Sequence, residues 1–159
     1  MDTYSAARRS EIMSRIRDKN TKPEVRVRRA LHGMGYRFRL HRKDLPGSPD
    51  VVLPKWKTVV LVHGCFWHGC RKCDRGTRIP KTNTAFWLAK VAENQRRDRR
   101  VRSALRAAGW RVIVVWACQT ENARKLISRL AAALSPGNGQ LSQAAKGGRS
   151  STSSPVAGG

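Results

Sequence analysis

The chain has 159 residues, with 33 Lys+Arg against 10 Asp+Glu and a formal net charge of +23. That length suits one domain with its own core, and that charge seeks a polyanion, nucleic acid ahead of an anionic membrane because no lipidation motif or basic apolar anchor appears. No apolar run approaches the ~20 residues of a membrane span, and Met1-Asp2-Thr3-Tyr4 does not open a signal peptide, so a cytoplasmic protein with reduced thiols is expected.

Residues 5–18 mix Arg with Ile12, Met13 and Ile16 and predict a short helix. A second helix starts at Thr21-Lys22-Pro23-Glu24, where Thr21 can cap, Pro23 suits the first turn and Glu24 sits at the capping-box position. It stops near Gly33 and Gly35. Residues 36–40 alternate large apolar residues with Arg and predict a strand with one wet face. Residues 45–49 form a turn, 50–53 a short strand, and 58–62 a buried strand. Residues 84–108 predict a long helix stopped at Gly109, 110–116 another buried strand, and 121–134 a last helix.

This order of elements predicts an α/β fold, a single domain with a central mixed sheet flanked by helices. The domain is expected over residues 1–134. From 135 to 159 the chain turns to Gly, Ser, Ala and Pro, with Lys146 and Arg149 as its only charges, and reads as a disordered tail. The basic character therefore belongs to the folded part.

The densest chemistry lies in residues 63–73, the run His63-Gly64-Cys65-Phe66-Trp67-His68-Gly69-Cys70 followed by Cys73. The remaining cysteine, Cys118, lies just beyond the strand ending at Trp116. Neighbouring strand ends can bring Cys118 to the loop, where four thiolates would close a tetrahedral structural Zn²⁺ site. His68 is an alternative ligand, but soft thiolates suit zinc and leave His68 free. The plain alternative is three loop cysteines and one buried cysteine with no metal.

Acids are scarce. Asp50 opens a strand after Ser48-Pro49, and Glu24 lies on the early helix. Metal-dependent phosphodiester cleavage needs carboxylates for Mg²⁺ and a base for water. Asp50 with Glu24 can supply the first, and a histidine the second. Asp50 also reads as a turn residue capping a strand, Glu24 as a capping-box residue, and His63 as a satisfied strand-end histidine. His32 and His41 carry no comparable context.

Phe66 and Trp67 are adjacent, so both cannot easily face one core. On a basic protein's loop such side chains can wedge between base pairs, and Trp87 and Met13 are placed to join them. Core packing is the competing reading, and it suits Trp110 and Trp116 in their strand. Trp56 in its turn reads as surface cover. The arginines of Arg96-Arg97-Asp98-Arg99-Arg100 face solvent or phosphate.

Taken together, Pro49-Asp50, His63-Gly64-Cys65-Phe66-Trp67-His68, Phe86-Trp87-Leu88, Asp98-Arg99-Arg100, Gly109-Trp110-Arg111-Val112 and Trp116-x-Cys118 resemble the very-short-patch repair endonuclease family, Vsr, over residues 8–122. The resemblance implies a restriction-endonuclease-like fold with a structural zinc site. It also implies a Mg²⁺-dependent nick 5′ of the mismatched thymine in T:G mismatches that arise when 5-methylcytosine deaminates. By the same resemblance Asp50 would be the main Mg²⁺ ligand and His68 the base for water, with Glu24 and His63 assisting. Cys65, Cys70, Cys73 and Cys118 would hold Zn²⁺, and Met13, Phe66, Trp67 and Trp87 would intercalate.

The implied partner is double-stranded DNA with a T:G mismatch, bound by a monomer. A functional link to other mismatch-repair proteins and to a cytosine-5 DNA methyltransferase is also implied. Two departures stand out. Val62 sits where some relatives carry threonine, so only its backbone carbonyl can serve the Mg²⁺. Cys70 sits where some relatives have a histidine zinc ligand. No acid-and-lysine pair follows Asp50, as the wider restriction-type superfamily usually has, and His63 occupies that region. A zinc-stabilised DNA-binding module without catalysis fits the same charge, zinc and aromatics, and a nuclease for branched or flapped DNA is a third reading.

Overall fold

We describe residues 5–15 and 19–136 of a computed structural model, with backbone only for Ala6, Arg9 and Met13. The expected wedge role of the Met13 side chain and the expected tail from 137 onward fall outside the described residues. The elements in chain order are α1 (Ala6–Ser14), α2 (Lys22–Gly33), β1 (Arg39–Leu40), β2 (Val51–Leu53), β3 (Thr58–His63), α3 (Asp74–Thr77), α4 (Thr84–Ala107), β4 (Arg111–Trp116) and α5 (Ala123–Leu134). Single 3-10 turns follow β2 at Pro54–Trp56 and β4 at Ala117–Thr120. No helix among the described residues is long and apolar enough to cross a membrane.

The four strands form one mixed sheet in the order β1-β2-β3-β4. The pairs β1/β2 and β2/β3 are antiparallel, and β3/β4 are parallel. The period of two sorts side chains to opposite faces. Val51, Leu53, Val60, Ile113 and Val115 meet Val27 and Leu31 of α2 and Leu126, Leu130 and Leu134 of α5. Their neighbours Val52, Val59 and Val112 meet Leu105 and Val101 of α4, with Trp110. The result is the three-layer α/β fold expected from the sequence.

The strand expected over 36–40 shrinks to Arg39–Leu40. Only Arg39 and Leu40 find ladder partners, Val52 and Val51. Tyr36 and Phe38 pack instead against the α2/α5 side of the core. The helix ends agree with the caps. Thr21 accepts from the Glu24 N–H, and Pro23 stands in the first turn.

Because β2 runs antiparallel to β3, the start of β2 lies at the same end of the sheet as the ends of β3 and β4. Asp50, His63 and Trp116 therefore gather at one sheet edge, with His63 directly opposite Trp116.

Candidate active site

Asp50 stands just before β2, and the Val62 N–H of β3 donates to its Oδ2 at 2.7 Å. Burial raises the Asp50 carboxyl to about 6 despite that hydrogen bond, and the nearby Glu24 carboxylate adds to the rise. The turn leading in is tight: Gly47 has φ +71°, and a Cβ there would lie 2.5 Å from Val101 Cγ1.

Glu24 is buried at the start of α2. It accepts from the Asn20 N–H at 3.0 Å, from Thr21 Oγ1 at 2.9 Å and from Arg28 Nη2 at 3.0 Å. Its cap reading and its site reading thus meet in one side chain, because Glu24, His41 and Asp50 bring ligand atoms within 4.8 Å of one another.

Two imidazoles and one acid line the same cleft. His68 Nδ1 lies 2.5 Å from Asp98 Oδ2, and His63 Nδ1 lies 3.9 Å from the same oxygen. The two rings stack at 4.2 Å with planes 9° apart, and Trp116 meets His63 edge-on at 5.4 Å. Burial, with the charge of His68 next, pushes His63 down to about 4, so it is neutral at pH 7. Burial works to raise Asp98, but the hydrogen bond and charge of His68 outweigh it and hold Asp98 below the usual carboxylate range. Asp50, Glu24, His63, His68 and Asp98 all line one open cleft of about 840 Å³.

The segment between Cys65 and Cys70 folds back as one turn. Cys70 N–H donates to Cys65 O at 2.9 Å and His68 N–H to Gly64 O at 3.2 Å. Two residues of α4 pin it: Asn94 donates to Trp67 O at 2.8 Å and Gln95 to His68 O at 3.3 Å. At its base the sulfurs of Cys65, Cys70, Cys73 and Cys118 lie within 4.8 Å of one another. Burial and the neighbouring thiols push Cys118 up to about 12. Burial also raises Cys73, but hydrogen bonds from Cys65 and the Gly76 N–H prevail and bring it to about 7. Four thiols this close together make a set a metal cation can organise.

Aromatic rings cluster beside this turn. Phe66 meets Trp67 at 5.0 Å and Trp87 at 5.6 Å, and Trp67 meets Trp87 at 6.0 Å. Phe86 leans on Trp87 at 5.1 Å and is 57% exposed. Such an exposed apolar group on a basic protein marks a contact surface.

The structure brings together Asp50, Glu24, His63 and His68, gathers all four cysteines, and unites Phe66, Trp67 and Trp87. Sequence reasoning missed four contributors. Asp98 is the one acid inside a run of arginines, and that isolation was its signal. His41 comes to Glu24 through a positive φ of 46° just after β1. Phe86 extends the aromatic group. Trp116, expected in the core, is only partly buried and packs on His63.

Comparison with known proteins finds clear relatives of this chain. The family model described as DNA mismatch endonuclease Vsr matches residues 1–75. The type II nicking enzyme V.XorIIP of Xanthomonas oryzae pv. oryzae is 50% identical over 135 residues, 85% of this chain and 98% of the relative. The type II nicking enzyme V.NmeAIP of Neisseria meningitidis serogroup A is 46% identical over 132 residues, 81% and 93% of the two chains. The DNA mismatch endonuclease Vsr of Escherichia coli K12 is 41% identical over 125 residues, 79% of each.

Proposed function

The chain belongs to the DNA mismatch endonuclease Vsr family, and from that premise we propose that it is a Mg²⁺-dependent endonuclease that nicks DNA 5′ of the mismatched thymine in T:G mismatches. The observation that carries the reading is one cleft lined by Asp50 and by the His68–Asp98 pair, with Phe66 and Trp67 on the same turn as His68.

The residues present suit Mg²⁺. Asp50 is a carboxyl that burial and Glu24 have made reluctant to ionise, and an adjacent dication reverses that penalty. In a strand the N–H and C=O of one residue leave the backbone on the same side. The Val62 N–H points to Asp50, so the Val62 carbonyl opens on that side too. A carboxylate and a carbonyl oxygen, with room left for water and phosphate, match a hard oxygen-seeking cation. Bound there, Mg²⁺ would offset charge on the scissile phosphate and acidify a water.

The chain's own residues do the rest. Ionised Asp98 can only accept, so His68 Nδ1 carries the proton between them, and Nε2 is the ring atom that takes a proton from water when the ring is neutral. Asp98 then faces the imidazolium that forms. Neutral His63, stacked beneath, supports the ring without adding a second positive charge. Phe66, Trp67 and Trp87 wedge into the stack beside the mismatch, kinking the duplex toward the cleft.

The four-thiol set suits Zn²⁺. Zn–S bonds of about 2.3 Å in a tetrahedron imply sulfur edges of about 3.8 Å, and Cys70 Sγ lies 3.9 Å from Cys118 Sγ. With four protein ligands the site is closed to water and is structural.

The test is a nicking assay with Mg²⁺ on one labelled duplex carrying T:G and the same duplex carrying T:A. A cut confined to the thymine strand of the mismatched duplex, immediately 5′ of that thymine, is expected. Tight binding without any cut across several flanking sequences would replace this reading with a DNA-binding module.

A further inference from the structure

Behind the imidazole pair lies a second cleft of about 410 Å³. It shares His63, His68 and Asp98 with the first, so the two clefts meet at these side chains. Its rim collects cations from three separate elements. Arg71 and Lys72 come from the cysteine turn, Arg99 and Arg102 from one face of α4, and Arg129 from α5.

The cleft's one carboxylate is Asp98, already engaged by His68. Among the described residues these five cations form no ion pair, and the buried Nε of Arg102 has no hydrogen-bond partner. A solvated basic surface spreads its charges outward. Here they converge on a concavity, which is unfavourable until an anion joins them.

We propose that this basic cleft is a second phosphate-binding subsite, which holds a backbone phosphate of bound DNA other than the one being cut. Guanidinium forks match phosphate oxygens in pairs. A phosphate held there registers the strand across the imidazoles and carries no sequence information. The inference rests on the reading that the chain binds duplex DNA.

The test reads duplex binding against salt without added Mg²⁺, where nothing is cut. It compares the wild type with the double variant Arg99→Gln, Arg129→Gln, two exposed positions on different helices. Each lost phosphate contact reduces the steepness of log K against log salt by about 0.9. The variant is expected to bind T:G and T:A duplexes about equally less tightly, on the order of 10-fold, with a slope shallower by about 1. Its melting temperature and its preference for T:G should match the wild type.

Unchanged affinity and slope in a variant that melts normally would overturn the proposal. If the double variant melts low, Arg71→Gln with Lys72→Gln on the separate cysteine turn is read the same way. Inorganic phosphate distinguishes the source of the anion. Should it raise the melting temperature of the wild type alone, while the DNA slope stays the same in both, the cleft takes free phosphate and the strand assignment falls. Cutting is not measured, so a failure to nick would sink the proposed activity and leave this result standing.

Discussion

His68 Nδ1 and Asp98 Oδ2 lie 2.5 Å apart although 30 positions separate them in the chain. The contact decides which imidazole nitrogen is left to work. In Asp98→Asn an amide can donate as well as accept, so the tautomer is no longer fixed. Single-turnover nicking of a T:G duplex should fall roughly 10²–10⁴-fold, with duplex binding no weaker, since a negative charge leaves the basic cleft. A full-rate variant would remove Asp98 from the mechanism.

Asp50→Asn should abolish nicking and stabilise the protein that holds no Mg²⁺. At pH 7 the wild-type carboxylate is ionised in a site that burial makes hostile to it. Asn keeps an oxygen for the Val62 N–H and carries no charge. We expect a gain of about 1–3 kcal/mol without added Mg²⁺, read as a higher denaturation midpoint. A lower midpoint would mean that the carboxylate is welcome there without a metal.

The same substitution should expose a hidden pH dependence. Folding raises Asp50 from 3.8 to about 6, so its contribution is full at low pH and is lost as pH climbs through 6. Folding lowers His63 from 6.5 to about 4, so its contribution is full above 6.5 and is lost as pH falls toward 4. Between pH 4 and 6 the two run in opposite directions and offset each other. Without Asp50 the His63 trend stands alone, approaching 1.4 kcal/mol per pH unit at most, in round terms about one tenfold step. Without added Mg²⁺, Asp50→Asn should therefore lose stability toward acid more steeply than the wild type. Parallel curves would refute this pairing of protonation states.

Gly76→Ala should disrupt the cysteine site without touching a cysteine. A Cβ at Gly76 would lie 2.0 Å from Cys70 O and 2.5 Å from Cys70 N, both backbone atoms with no room to yield. The helix α3 would have to lift, taking Cys73 at its N-terminus with it. Bound zinc should fall and the melting temperature drop, as in Cys70→Ser, because structural metal binding is folding energy. Full zinc content in Gly76→Ala would show that the loop relaxes elsewhere.

Periodicity and caps carried most of the fold. Thr21-Lys22-Pro23-Glu24 announced α2, and the branched runs of β3 and β4 announced the buried strands. Tyr36–Leu40 misled because alternation reports a wet and a dry face but not a ladder partner, and of β2 only Val51 and Val52 pair with that segment. In the site, Asp50, His63 and His68 were legible as rare residue types at element ends. Asp98 was obscured by its arginine neighbours. A helix turns side chains at 96–100 in different directions, and only the packed structure shows that Asp98 turns inward to His68. His41 depends on a left-handed backbone position that a histidine does not advertise.

Cys65 and Cys70 bracket Phe66, Trp67 and His68 within a single turn. The side chains proposed to pry bases apart, Phe66 and Trp67, and the imidazole proposed to receive a proton, His68, are therefore neighbours in covalent sequence. Their spacing is set by bond lengths and one metal-ready clamp. Lengthening that turn by one residue would therefore displace Phe66, Trp67 and His68 together.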